Sequence, residues 1–157
     1  MVFDKKVNRL LTVIFFAFLV RLSLIPFFYN QPLNIVDEQH YNSLSLSLLE
    51  RGEFGWKPGR LTAIRPPLYP AFIYIIYKIF GPNNYNAVRL LQLFLSLASG
   101  CLVYSLAKKI FREEKAALFA CILFLFYPSL VLFNYLILTE TLFIFLFLLA
   151  FGFWSWG

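Results

Sequence analysis

Residues 34–67 read NIVDEQHYNSLSLSLLERGEFGWKPGRLTAIRPP, a polar island that opens on the acidic pair Asp37-Glu38 and closes on Arg65-Pro66-Pro67. On either side the chain is almost continuously apolar. Of its 157 residues 61% are hydrophobic and 20% aromatic, with a mean hydropathy of +0.73. That composition excludes an ordinary soluble domain and indicates an all-α integral membrane protein. Charged residues, 14% of the total, fall in short clusters between apolar runs, as they must where a hydrocarbon interior excludes them. The net charge of +6 therefore reads as Lys and Arg that set topology, and no nucleic-acid partner is expected.

Before the island, residues 10–28 form a run long enough, at about 1.5 Å per residue, to cross a hydrocarbon core of about 30 Å. Lys5, Lys6 and Arg9 precede it and no small-x-small cleavage site follows, so it reads as an uncleaved signal anchor and first span. Arg21 lies near the far end of this run, either snorkelling to the interface or turned inward to an acidic partner.

Residues 29–86 then make one outward loop. Within it, 37–51 has Tyr41, Leu44 and Leu48 at helical spacing, an acidic first turn, Arg51 in its last and Gly52 just beyond. This pattern predicts an amphipathic helix lying on the membrane. Residues 68–80, with Tyr69, Tyr74 and Tyr77, are apolar but too few to span, which predicts an interfacial or re-entrant helix. After the break at Gly81-Pro82-Asn83-Asn84, residues 87–107 form a second span, 116–138 a third with a kink at Pro128, and 142–157 begin a fourth. Cys101 and Cys121 sit inside apolar runs and read as small core residues. The positive-inside rule puts Lys5, Lys6 and Arg9, and then Lys108, Lys109, Arg112 and Lys115, in the cytoplasm. The polar island and Glu140 then share the opposite face.

Several side chains there could carry chemistry. Asp37 and Glu38 are about 100° apart on a helix and cannot both aim at one atom. One could serve as a general base, or both could complement a helix amino terminus. Asp37, His40 and Tyr41 share a face at i, i+3 and i+4, where Asp and His could hold one edge of a divalent metal. Two ligands do not define a metal site, and a surface histidine is the plainer account. Lys57, Arg60 and Arg65 gather positive charge that could fork onto phosphate oxygens or attract anionic headgroups. Glu140, between Thr139 and Thr141, is either a functional acid or a structural partner of Arg21 or Arg89.

The order of these features is more specific than any one of them. A first span is followed by Asp37-Glu38 with Tyr41, Leu48-Leu49-Glu50-Arg51-Gly52, Arg65-Pro66-Pro67-Leu68-Tyr69-Pro70 and Gly81. Ala87-Val88-Arg89-Leu90-Leu91-Gln92, a basic hairpin, Tyr127-Pro128 and Thr139-Glu140-Thr141 complete the set. The set resembles the amino-terminal part of GT-C class membrane glycosyltransferases, in the ArnT-like and dolichyl-phosphate-mannose-protein mannosyltransferase-like group.

The resemblance implies an inverting hexosyl-, pentosyl- or aminosugar-transferase of the cell envelope, acting at the extracytoplasmic face among membrane lipids. Its donor would be a polyprenyl-phosphate sugar, and its acceptor a lipid, glycan or protein. It implies Asp37 as general base with Glu38 beside it, Glu140 as a further acidic site residue, and Arg65, with Arg60 and Lys57 nearby, at the donor phosphate. His40, Tyr41, Tyr69, Arg21 and Arg89 are candidates for structural or substrate contacts. Some relatives carry an acidic metal ligand just before the basic residue; this chain has Ile64 there, so no metal is assigned and a divalent cation is left open. Members of the group usually continue through many more spans, so the chain is expected to be the first part of a longer enzyme or to need partner chains. Two other classes compete. A non-catalytic membrane scaffold would suit a short chain with exposed apolar helix faces, whereas a transporter would place its charges at the bilayer midplane.

Overall fold

The computed structural model describes residues 5–156, with side chains from 7 to 154. The side chains of Lys5, Lys6, Ser155 and Trp156, and residues 1–4 and 157, lie outside that range. The helices are α1 (Lys5–Phe28), α2 (Val36–Arg51), α3 (Leu68–Phe80), α4 (Tyr85–Phe111), α5 (Glu114–Phe126), α6 (Pro128–Leu132) and α7 (Glu140–Trp156). No β-strand occurs among the described residues, only a single bridge between Lys57 and Arg60.

Two helices, α1 and α4, are long and apolar enough to cross a membrane, while α3 and α7 are shorter apolar helices. The ends of these elements follow from local chemistry. Asn84 caps α4 by accepting the Ala87 N–H at 3.1 Å. Gly52 closes α2 in the left-handed region at φ 68° and donates to the Leu48 carbonyl, which a side chain at that position would disfavour.

α4 is the element on which the others assemble. α5 turns back along it, α7 also packs against it, and α1 touches both α4 and α5. Ala17, Leu93, Leu97, Tyr104, Cys121 and Leu125 form the core between them. Close approach of α5 depends on Gly100, where an added Cβ would come within 2.5 Å of Leu125 Cδ2. At the other end of α4, α2 and α3 pair with each other and α3 rests on α4, burying Tyr41, Tyr69, Ile73, Ile76, Tyr77, Val88 and Ile137.

The segment read as a third span, 116–138, is not one kinked helix. Proline keeps the preceding residue out of the helical region, and Tyr127 is extended at φ −66°, ψ 120°. The helix therefore stops at Phe126, α6 adds five residues, and 133–139 is irregular.

Backbone released in this way must find partners inside the protein. Arg21 supplies one of them, to the Leu125 carbonyl, and ties that end of α5 to its neighbours. Wholly buried, it donates to the Leu125 carbonyl at 2.9 Å, Ala17 carbonyl at 3.1 Å, Asn134 Oδ1 at 2.9 Å and Ser96 Oγ at 3.2 Å. Thus Arg21 neither snorkels nor meets a carboxylate. It is a cation at the carboxyl end of α5, where the helix dipole and an orphan carbonyl both favour it. Gln92 does similar work on the irregular segment, its Nε2 donating to the carbonyls of Phe133, Asn134 and Leu136 at 3.2, 3.2 and 2.7 Å.

Candidate active site

The first turn and a half of α2 presents Asp37, His40 and Tyr41 on one side, and all three converge on Arg65. The guanidinium forms an ion pair with Asp37, lies 3.2 Å from His40 Nδ1, and sits over the Tyr41 ring 5.6 Å from its centroid. The shared helix face seen in the sequence is therefore real, and it holds an arginine. Arg65 Nε is buried with no hydrogen-bond partner among the described residues, a donor left unsatisfied. No group of three or more His, Cys, Asp and Glu side chains able to hold a metal ion occurs among the described residues. Asp37 and His40, the two candidate ligands, instead face one guanidinium, an arrangement that does not suit a cation.

The two acidic neighbours have different environments. The Asp37 side chain is 44% exposed, whereas Glu38 is 2% exposed. Both Glu38 oxygens accept backbone N–H groups, Oε2 from Asn34 and Ile35 at 3.2 and 3.1 Å, and Oε1 from Ile137 at 2.9 Å. Of the pair, only Asp37 is open to a substrate.

Beside Arg65 an apolar groove of about 470 Å³ runs between α3 and α7, lined by Tyr41, Pro66, Leu68, Tyr69, Thr139, Leu142, Phe143, Leu146 and Phe147. Tyr41 belongs to both places, carrying the guanidinium and forming the groove wall, so the charged cluster stands beside the groove. Tyr69 packs edge-on to Tyr41, with ring centroids 5.1 Å apart, and donates its hydroxyl to Gln92 Oε1 at 2.5 Å. Burial pushes the Tyr69 phenol well above its ordinary value, and Tyr77, Glu140 and Glu38 add to the shift, so this hydroxyl stays a donor. Glu140 follows Thr139 in the first turn of α7. Its hydrogen bond is from Thr139 Oγ1 at 3.5 Å, and no ion pair joins it to Arg21 or Arg89 among the described residues.

Lys57 and Arg60 are exposed on a hairpin built over 53–62. Thr62 N–H donates to the Phe54 carbonyl at 2.9 Å, and Gly59 N–H donates to Glu53 Oε2 at 2.9 Å. Gly55 is required there, since an added Cβ would lie 2.0 Å from the Arg60 carbonyl oxygen. Trp56 ties the hairpin to the cluster by packing on His40, with ring centroids 5.3 Å apart.

Arg89 belongs to the far side of α2. It donates to the carbonyls of Phe28, Gln31 and Tyr135 at 2.6, 3.0 and 2.9 Å. Asp37, His40, Tyr41, Arg65 and Tyr69 thus come together at the groove; Lys57 and Arg60 stand to one side on the hairpin, and Arg21, Glu38 and Arg89 lie behind as supports. Sequence reasoning missed Gln92, Asn134 and Trp56. A glutamine inside an otherwise apolar span was the one available signal, because a polar group at that depth needs a partner.

The described residues thus form an all-helical, strongly apolar module with an acid–arginine pair beside an apolar groove. The family model described as dolichyl-phosphate-mannose-protein mannosyltransferase matches residues 64–156, and the chain belongs to that family, a glycosyltransferase family of the GT-C kind. The matched stretch takes in Arg65, the groove-lining residues of α3 and α7, and Glu140, and begins after Asp37. No curated protein and no solved structure matches the chain.

Proposed function

We propose that this chain carries the donor end of an inverting glycosyltransferase site that uses a polyprenyl-phosphate sugar, with Asp37 as general base and Arg65 at the donor phosphate. The observation that carries the reading is the Asp37–Arg65 pair beside the groove lined by Tyr41, Leu68, Leu142, Phe143, Leu146 and Phe147. A prenyl chain is apolar along its length and charged only at its phosphate, and the groove has that same polarity. Arg65 Nε, buried and unpartnered, offers a donor to a phosphate oxygen alongside the bond its other nitrogen makes to Asp37.

In the reaction, the Asp37 carboxylate takes the proton of the acceptor group as that group attacks the anomeric carbon. The bond from that carbon to the phosphate oxygen breaks with its electron pair on the oxygen. Polyprenyl phosphate leaves against the guanidinium, whose fixed charge stabilises the departing anion. Attack opposite to departure inverts the anomeric centre. The basic stretch Lys108–Lys115 would face the cytoplasm and the polar island the other side, with α1, α4, α5 together with α6, and α7 as four crossings.

The test uses the longest form of the protein, reconstituted with a polyprenyl-phosphate sugar. Asp37→Asn should lower transfer by about 10² to 10⁴ while the donor still binds and the protein still folds. Undiminished transfer by Asp37→Asn overturns the assignment of the base. Donor binding by Arg65→Gln equal to that of the parent overturns the phosphate site.

A further inference from the structure

Glu38 and Arg89 act with opposite polarity on the same two regions of backbone, the junction from the end of α1 to α2 and the segment that leads into α7. The Arg89 guanidinium collects carbonyls, those of Phe28, Gln31 and Tyr135. The Glu38 carboxylate collects amides, those of Asn34, Ile35 and Ile137. Glu38 takes two partners from the connection between α1 and α2 and one from the segment that leads into α7, whereas Arg89 takes Phe28 at the end of α1, Gln31 in that connection and Tyr135 in that segment. Both side chains line a single cavity of about 170 Å³, together with Phe28, Gln31, Asn34 and Tyr135.

Backbone outside regular structure has no ladder to set its register, so its position depends on whichever side chains pair with it. Here one carboxylate reaches both stretches at once. On one side of it stands Asp37, the next residue on α2. On the other stands Ile137, two residues ahead of Thr139, which lines the groove, and three ahead of Glu140. The spacing between the base and the α7 wall of the groove is therefore set through Glu38.

We infer that Glu38 is a positioning residue for the transfer reaction, holding Asp37 in register with the groove wall at Thr139–Glu140, with Arg89 bracing the same two stretches from their carbonyls. The inference rests on the proposed glycosyl transfer for its catalytic readout but has a second readout of its own. A carboxylate has two acceptor oxygens, whereas glutamine has one and turns an NH₂ toward N–H groups. Glu38→Gln therefore keeps one stretch and releases the other.

Hydrogen exchange on the reconstituted protein should show the Ile137 amide, or those of Asn34 and Ile35, exchanging at least about tenfold faster in Glu38→Gln while α4 is unchanged. Transfer should fall by about 10² in kcat, the loss expected of a misplaced reacting group. The donor KM should stay within about threefold, and the pH dependence should keep its shape because the titrating base remains Asp37. If Glu38→Gln does not accumulate, Glu38→Asp, which keeps the charge but is one methylene shorter, is read in the same way.

Unchanged exchange at all three amides overturns the inference, as does loss of a limb of the pH profile without faster exchange, which would make Glu38 a proton carrier. Faster exchange spread evenly over α4 as well would reduce Glu38 to general stability and also overturn it. Asp37→Asn is run in parallel. If it transfers normally the proposed base is wrong, while the exchange measurement still decides whether Glu38 holds the two stretches.

Discussion

Arg65 and Asp37 lie 28 positions apart in the chain and form an ion pair, although a helix and a hairpin intervene. The pair is partly open, with side chains 23% and 44% exposed. Solvent screening limits its worth to stability to about 1 kcal/mol or less, so its role is to orient charge.

Arg65→Lys separates charge from shape. Lysine keeps the cation but has no planar fork to reach Asp37, His40 and the Tyr41 ring together. The expected result is unfolding within about 1 kcal/mol of the parent, with donor binding weakened about tenfold or more, a loss of about 1.4 kcal/mol. Thermal unfolding in detergent and a donor-binding titration measure the two effects.

Arg21→Met removes the cation at the end of α5 and orphans the Leu125 carbonyl along with groups on Ser96 and Asn134. Each buried polar group left unpaired costs about 1 to 3 kcal/mol, so a loss of about 3 kcal/mol or more is expected. Arg21→Lys should recover part of it, with fewer donors. Unfolding in detergent micelles, followed by tryptophan fluorescence, gives both values.

Gly100→Ala brings a Cβ against Leu125 and should destabilise by about 1 to 3 kcal/mol through overpacking. Leu125→Ala alone should cost about 2 to 5 kcal/mol by leaving a cavity. Because each change relieves part of the other's fault, the double variant should lose less than the sum of the two. A double-mutant cycle on unfolding free energy reads that difference.

Tyr69 gives a pH signature. Its folded-state value is raised because the neutral phenol is buried, while an unfolded chain releases the proton near pH 10. The sign follows: the stabilising contribution is complete below about pH 10 and is lost as pH rises beyond it, since the unfolded state then binds fewer protons. Tyr69→Phe should cost about 1 kcal/mol at neutral pH by leaving Gln92 Oε1 short of a donor, and should flatten part of the alkaline decline. Tyr77, also raised by burial, supplies another part, so the double Phe variant should be flatter still. Thermal melts across roughly pH 8 to 11 test this.

Much of the helical order is legible in the sequence because it is written locally. Tyr41, Leu44 and Leu48 give the period of α2, Gly52 and Gly81 mark ends, and apolar length gives α1 and α4. The i, i+3, i+4 face of Asp37, His40 and Tyr41 was equally plain. What that face holds was not, since the arrival of Arg65 depends on the fold of everything between 42 and 64. Arg21 teaches the same lesson. Its burial could be read from the apolar run, but its partners include the Leu125 carbonyl, freed by a break more than a hundred residues later, and the side chains of Ser96 and Asn134. Glu38 and Asp37 are chemically near-equivalent as letters, and only the backbone amides of Asn34, Ile35 and Ile137 separate them.

Arg21 leaves the ribosome 104 residues ahead of the Leu125 carbonyl that later receives it. At about 5 to 20 residues per second the delay is about 5 to 20 s. For that time the first helix carries a cation without its later partners Ser96, Leu125 and Asn134. Completion of this polar knot is thereby tied to the order of synthesis, because one guanidinium of the first helix waits for a helix end made 104 residues later.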